Sequence, residues 1–473
     1  MIDENLAFMP AAELVALIAG KQVSPVEITE LYLRRIERLD TQLHAYLTPT
    51  YDQAVQSAKA AEAAVLRGEE LGPLHGVPIS IKDLELSKGI RTTSGSLVFK
   101  DRVPEEDSVV VERVRKAGAI ILGKTNTPEF GFRGSTENRL GDACRNPWNP
   151  QRTAGGSSGG AGASVVAGLC ALATGSDGGG SIRIPASFCG IYGIKPTQGR
   201  VPRYGGASAP IIANQLGQSG PMTRTVRDAA MLLQIMAGYD PRDPASLRDT
   251  PGDYVAALKR EIKGMRIGWS PDYGYAAVDP EVVEVTARAA RVFETLGCVV
   301  EATDLRLETP QEPFRIVFST NVYAALGYLL EEQPEQLTDY VREGMAYGST
   351  VTGAMYAKAL GSIEQLKAQF ADQFAQYDLL LSPTMAVPAF VVHQNPTTIA
   401  GKEVDPFLGF LPFTYPINMI GHAAASLPCG FSADGLPIGL HMVGRHGAEE
   451  MIIAASAAFE TAHPWQQQRP LVS

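Results

Sequence analysis

Two serine-bearing glycine clusters lie close together in this chain. The first is Gly155-Gly156-Ser157-Ser158-Gly159-Gly160, and the second, after an apolar spacer, is Gly178-Gly179-Gly180-Ser181. Dense glycine marks backbone that turns sharply or must approach a ligand closely. Each cluster sets a hydroxyl beside backbone N–H groups that no side chain obstructs. Acyl transfer needs both parts, a hydroxyl nucleophile and converging N–H donors for the oxygen that becomes negative in the tetrahedral intermediate. One such donor is worth about 3 kcal/mol of barrier.

Local pattern leaves the nucleophile open. Ser158 sits at the centre of a G-x-S-x-G pattern, the nucleophile elbow. That elbow requires a strand directly before it, whereas Asn146–Arg152 is polar and broken by prolines. A phosphate-binding loop is disfavoured because no Lys-Ser or Lys-Thr closes the glycine run. A helix-like segment follows the first cluster, and its N-terminus would aim partial positive charge at it. The serine also needs a base. None of the seven histidines (His44, His75, His393, His422, His441, His446, His463) is singled out by its neighbours. A lysine serves if burial makes it neutral. Lys82 ends the apolar run Gly76–Ile81, and Lys124 follows Ala119–Leu122 in a comparable setting. Spacing alone does not choose between them.

The elements that must position these residues alternate. Helical patterns cover most of residues 10–66, with a capping box and proline at Ser24-Pro25-Val26-Glu27 and a C-cap glycine at Gly68. Short apolar runs at 77–81, 119–122, 265–269, 299–302, 378–381, 423–428 and 437–443 read as strands. Segments 108–117, 281–296 and 449–459 read as helices, and the spacer Ala161–Ala173 as a buried helix. This alternation implies an α/β fold with a mixed, largely parallel central sheet covered by helices on both faces. One domain is expected over 1–473. Within it, 1–66 is an N-terminal helical region, 67–240 the catalytic core, and 300–400 a mainly helical layer over the active face. No clear linker is present; the most linker-like stretch, Asp240–Asp253, reads equally as a surface loop within one domain.

Composition narrows the field. The chain has 473 residues, 45% hydrophobic and 19% charged, with a net charge of −10. Nucleic-acid binding is disfavoured, since it usually leaves a basic footprint. Five cysteines with no C-x-x-C pair argue against a zinc site or disulfide framework, and a reducing cytoplasm is the expected compartment. No apolar run approaches the roughly 18 residues of a membrane span.

Taken together, these motifs resemble the amidase signature family of serine hydrolases. The resemblance rests on GVPISIKD around Lys82, GAIILGKTNTPEF, NPWNPQRTAGGSSGGAGASVVAGL and GSDGGGSIRIPASFCGIYGIKPTQGRVPRYG. Downstream it continues through GPMTRTVRDAA, YDLLLSPT and SLPCGFSADGLPIGLHMVG. It spans almost the whole chain. It implies a Ser–cisSer–Lys triad with Ser181 as nucleophile, Ser157 as the bridging serine after a cis peptide bond, and Lys82 as base. The N–H groups of Gly178, Gly179 and Gly180, with Ser181, would form the oxyanion hole. Ser158 and Arg183 would support it, Ser158 bonding near Arg183 and Ser181. No metal or cofactor is implied.

The implied activity is amide hydrolysis through an acyl-enzyme. Carbamates (urethanes), aryl acylamides, nylon-type oligomers and esters are alternative substrates for the same triad, with a monomer or homodimer acting alone. A second reading is the glutaminase component of a tRNA-dependent amidotransferase, although Ala462-His463-Pro464-Trp465 looks more like free-standing amidases. An inactive binding homologue is disfavoured by the complete triad. The chain departs from the family pattern at Gly178, often larger, at His441, often Gln, and at Ala423, often Pro. Leu140, Tyr323, Met355 and Phe407 are candidates for the substrate pocket.

Overall fold

A computed structural model of the chain describes residues 3–205 and 216–473. Among these, eleven strands join in one sheet: β1 (Tyr46–Pro49), β2 (Pro78–Lys82), β3 (Ile120–Thr125), β4 (Leu172–Asp177), β5 (Tyr192–Lys195), β6 (Gln218–Thr223), β7 (Arg266–Trp269), β8 (Val299–Ala302), β9 (Leu379–Pro383), β10 (Ala424–Phe431) and β11 (Pro437–Gly444). Their spatial order is β1-β3-β2-β4-β6-β5-β10-β11-β9-β7-β8. The sheet is mixed. Parallel pairing is concentrated in two blocks, β3-β2-β4 and β9-β7-β8. Antiparallel strands join the blocks, and β1 closes one edge antiparallel to β3.

Every residue of β2, β3, β4, β6 and β11 is buried. Successive side chains of a strand point to opposite faces, so these strands are covered on both sides. This explains why they read as short apolar or mixed runs rather than as alternating patterns.

Two neighbouring parallel strands bring the chemistry together. Lys82 is the last residue of β2, and Asp177, the last of β4, leads directly into Gly178. The pairing of Ile79 with Leu172 and Ser80 with Ala173 puts both carboxyl ends at the same edge. The first glycine cluster opens the Gly159–Val166 helix, with Ser158 at its N-cap. Its glycines allow close packing: a Cβ on Gly160 would collide with backbone atoms of Asn126 and Ala45. Gln311–Leu326 reaches the second cluster through Phe314 and Phe318, beside Gly179 and Gly178, and itself packs on Asp339–Thr350 and Gly353–Phe374.

The capping box at Ser24 and the left-handed cap at Gly68 (φ 72°) are both present. Two expectations need correcting, and one alternative is decided. The N-terminal region is not helical throughout: His44 ends a helix in the left-handed conformation (φ 51°), and Tyr46–Pro49 then pairs with β3. The spacer 161–173 is not one helix either. The helix stops at Val166, the chain turns at left-handed Gly168 (φ 64°), and β4 starts at Leu172. Short apolar runs do not distinguish a strand from a buried helix. Asp240–Asp253 is a loop folded back on the core, with Leu247 N–H donating to Gly199 O (2.9 Å) and Arg200 donating to Asp249 (3.0 and 2.9 Å). No helix among the described residues is long and apolar enough to cross a membrane.

Gly160→Ala forces backbone apart and is expected to destabilise the protein by about 3 kcal/mol or more. Gly361→Ala lies on the exposed side of the Gly353–Phe374 helix with nothing within 4 Å. It is expected to stabilise by about 0.5–1 kcal/mol. Denaturant titration of the two variants beside the parent measures both.

Candidate active site

The Lys82 side chain is wholly buried and touches no carboxylate. Its Nζ lies 2.7 Å from Ser157 Oγ, 2.8 Å from Ser158 Oγ and 3.1 Å from Ser176 O. Burial pulls its pKa down to about 7, against the opposing pull of Asp177 and Glu85, while Arg203 lowers it further. The hydrogen inventory of the neutral amine follows from its neighbours. Ser176 O only accepts. Ser158 Oγ donates to Ser176 O (3.2 Å), so it accepts from Lys82. Both amine hydrogens are then used, and the lone pair faces Ser157, whose hydroxyl donates to it.

Lys124, equivalent to Lys82 on sequence grounds, is held elsewhere. It is buried with a pKa lowered to about 8 by desolvation, and its Nζ donates to Glu85 O and to Ser87 Oγ (2.7 Å). Contact with the serines separates the two lysines.

Asp177 organises the second cluster. Its Oδ1 accepts from Gly180 N–H (2.7 Å), Arg183 (2.9 Å) and Asn418 Nδ2 (2.8 Å), and its Oδ2 from Ile182 N–H (3.2 Å) and Arg183 Nε (2.9 Å). Burial alone would raise its pKa, but the charge and hydrogen bonds of Arg183, with help from Lys195 and Asn418, hold it well below the usual carboxylate range. Arg183 also donates to Asn418 Oδ1 (2.6 Å) and reaches His441 Nε2 (3.0 Å). Arginine has no acceptor, so Nε2 of His441 accepts and its proton sits on Nδ1, facing Ser382 Oγ at 3.4 Å. Burial first, and then Arg183, keeps His441 neutral.

The expectation for the oxyanion donors changes here. The N–H of Gly180 is committed to Asp177. Among the described residues no acceptor takes the N–H of Gly178, Gly179 or Ser181, so these three are the available donors. Ser158 also differs from expectation. Its side chain lies on Lys82 and Ser176 rather than on Arg183, while its N–H donates to Ser181 O (3.1 Å). The Gly156–Ser157 peptide bond is cis.

Ser157, Gly178, Gly179 and Ser181 line one cavity of about 970 Å³. Its lining is mixed: Leu84, Phe130, Phe132, Ile184, Phe314, Phe318, Phe407 and Leu411 are apolar, and Arg102, Arg133, Arg203, Glu105 and Glu106 are charged. A Cβ on Gly178 would meet only Phe318, at 3.9 Å. Of the four pocket candidates, Phe407 lines this cavity. Leu140 is half-buried outside it, and Tyr323 and Met355, each 37% exposed, also lie outside. The helix bearing Tyr323 does contribute, but through Phe314, Phe318 and Val322. Their four-residue spacing marks one helical face, a signal available in the sequence, and Tyr323 is one step off it. Asp177 was detectable as an acidic residue directly before a glycine run. Asn418 and Thr414, which reach the same loop, carry no local signal.

A buried lysine with its pKa lowered toward neutrality, serine hydroxyls in reach of it and unclaimed N–H groups beside a cavity are the parts that acyl-transfer hydrolysis requires. The chain belongs to the Amidase family, whose sequence profile matches residues 27–453. It is accordingly an amidase, a hydrolase acting on carbon–nitrogen bonds. It is 40% identical to a glutamyl-tRNA(Gln) amidotransferase subunit of Moorella thermoacetica, over 98% of this chain and 99% of that one. It is 38% identical to an acylamidase of Rhodococcus erythropolis, over 99% and 98%. Among solved structures, a bacterial aryl acylamidase of the amidase signature family superimposes with a TM-score of 0.92 at 35% identity, covering 97% of both chains.

Arg183→Ala leaves the Asp177 carboxylate buried without its cation. Removing one partner of such a pair is expected to cost about 3–5 kcal/mol at neutral pH. Because folding lowers the Asp177 pKa, the loss shrinks as pH falls from the unfolded carboxylate range toward the depressed folded value. Denaturant unfolding at neutral and acidic pH reads out both effects.

Proposed function

We propose that this amidase cleaves amides carrying a bulky apolar or aryl group, with Ser181 as nucleophile, Ser157 as proton relay and Lys82 as base. The observation that carries the reading is the shared cavity, which Ser157 and Ser181 line together with Phe130, Phe132, Phe314, Phe318 and Phe407. The lone pair of neutral Lys82 takes the proton of Ser157, which takes that of Ser181 as Ser181 Oγ attacks the carbonyl. The developing oxyanion is met by the N–H groups of Gly178, Gly179 and Ser181. The proton then returns through Ser157 to the leaving nitrogen, and water hydrolyses the acyl-enzyme by the same relay. The open space beside Gly178 leaves room for a substituent next to the reacting carbonyl.

The Moorella thermoacetica relative supports a second reading, in which the substrate amide is that of glutamine and the chain works as one component of an assembly. The cluster of aromatic residues in the lining favours the first, while Arg102, Arg133, Arg203, Glu105 and Glu106 of the same cavity are the groups that would meet the charged ends of glutamine in the second. Purified chain is assayed on p-nitroacetanilide, a bulkier aryl anilide, an aryl carbamate, an aryl ester and glutamine. Preference for the bulky anilide is expected. Turnover of glutamine above the anilides would sink the acylamidase reading.

Ser181→Ala is expected to lower kcat by at least about 10⁴-fold, and Lys82→Ala by about 10²–10⁴-fold. Since only neutral Lys82 accepts a proton, kcat/KM is expected to fall about tenfold per pH unit below about pH 7 and to level off above it. A profile flat down to pH 5 would remove Lys82 from the base role.

A further inference from the structure

The loop bearing Ser181 is tied down through its carbonyls. Asp177 O accepts from Asn418 Nδ2 (3.0 Å), Gly179 O from Thr414 Oγ1 (2.7 Å), Gly180 O from Ile184 N–H (2.7 Å) and Ser181 O from Ser158 N–H (3.1 Å). A trans peptide is planar, with its N–H opposed to its C=O, so fixing a carbonyl also aims the next residue's N–H. The Gly179–Gly180 peptide is held at both ends. Thr414 holds its oxygen, and Asp177 Oδ1 takes its N–H. This peptide lies between two unclaimed donors, the N–H groups of Gly179 and Ser181.

Two further facts single out Thr414. Gly180 has φ +130°, and a Cβ there would collide with the Thr414 hydroxyl, so the absence of a side chain at 180 is what lets that hydroxyl reach the loop. Thr414 Oγ1 also lies 3.2 Å from Leu411 O, but Gly179 O is the nearer acceptor. We propose that Thr414, absent from both glycine clusters and 235 residues from Gly179, is a positioning residue for the oxyanion donors. Its hydroxyl keeps the Gly179–Gly180 peptide turned so that the flanking N–H groups face the cavity. It touches neither substrate nor nucleophile. The proposal rests on Ser181 being the nucleophile.

The test uses T414V, T414S and S181A with the preferred aryl anilide, and an arylboronic acid as a tetrahedral-adduct probe. T414V removes the hydroxyl at nearly constant volume. Its kcat is expected to drop about 10–100-fold with KM within about threefold, since the donors act on the transition state rather than on bound substrate. The boronic acid is expected to weaken in parallel, while inhibition by the carboxylic acid product stays unchanged. T414S keeps the hydroxyl and is expected to restore most of kcat. If T414V does not fold, T414A gives the same readouts without added bulk. A hydroxyl-free variant with parental kcat, a T414S as impaired as T414V, or equal losses of boronate and product binding would each overturn the proposal. An active S181A would overturn the nucleophile assignment and the proposal with it. An inactive S181A beside a fully active T414V would overturn the role of Thr414 alone.

Discussion

The site depends on a lysine buried without an acid in contact. An ammonium taken out of water and given only hydroxyl and carbonyl partners loses far more solvation than those partners return, so the group sheds its proton near neutrality. The surroundings of Lys82 preserve that condition. Asp177, the acid that acts most strongly on Lys82 through space, is already gripped by Arg183 through two nitrogens. Glu85, the other acid that acts on Lys82 through space, accepts from Ser219 Oγ at 2.6 Å. Had either carboxylate reached Nζ, the lysine would stay charged and could not serve as a base.

The two glycine clusters solve different packing problems. In the first, glycine lets a helix start against the backbone of β3 and its neighbours, which holds Ser157 and Ser158 on Lys82. In the second, the loop lines the cavity with its Gly178, Gly179 and Ser181 N–H groups unclaimed among the described residues, while the carbonyls of Asp177, Gly179, Gly180 and Ser181 are hydrogen-bonded. Thr136 braces the first cluster, donating to Gly155 O (2.7 Å) and accepting from Gly159 N–H (3.2 Å). Thr414 occupies the corresponding place behind the second. In both cases a threonine hydroxyl holds glycine backbone that would otherwise be free to turn.

Much of this was legible from the chain. Lys82 could be read as the end of a buried run, the strands flanking it as short apolar stretches, and Ser24 and Gly68 as helix boundaries. Local pattern alone could not separate Ser158 from Ser181 or Lys82 from Lys124. Those choices depend on contacts between segments 75 to 100 residues apart, and the family resemblance supplied them. Strands β5 and β6 carry no local signal because Tyr192–Lys195 is four residues long and includes glycine and lysine, and Gln218–Thr223 is mostly polar with glycine and proline, so neither forms an apolar run. The oxyanion donors were misassigned at Gly180 because a glycine run says that N–H groups are accessible, not which way each one turns. Tyr323 was the wrong residue on the right helix, since bulk was weighed without helical phase.

The ties between Asp177 and Asn418 span 241 residues of sequence, and this has a consequence for how activity arises. Loop closure over such a distance is entropically costly and slow compared with local helix formation. On a ribosome, Lys82, Ser157 and Ser181 emerge long before Thr414 and Asn418 do. A partly synthesised chain can therefore hold Lys82 and both glycine clusters and still lack the side chains that tie the second cluster down. Ordering of the second cluster is thereby coupled to docking of the segment that bears Thr414 and Asn418.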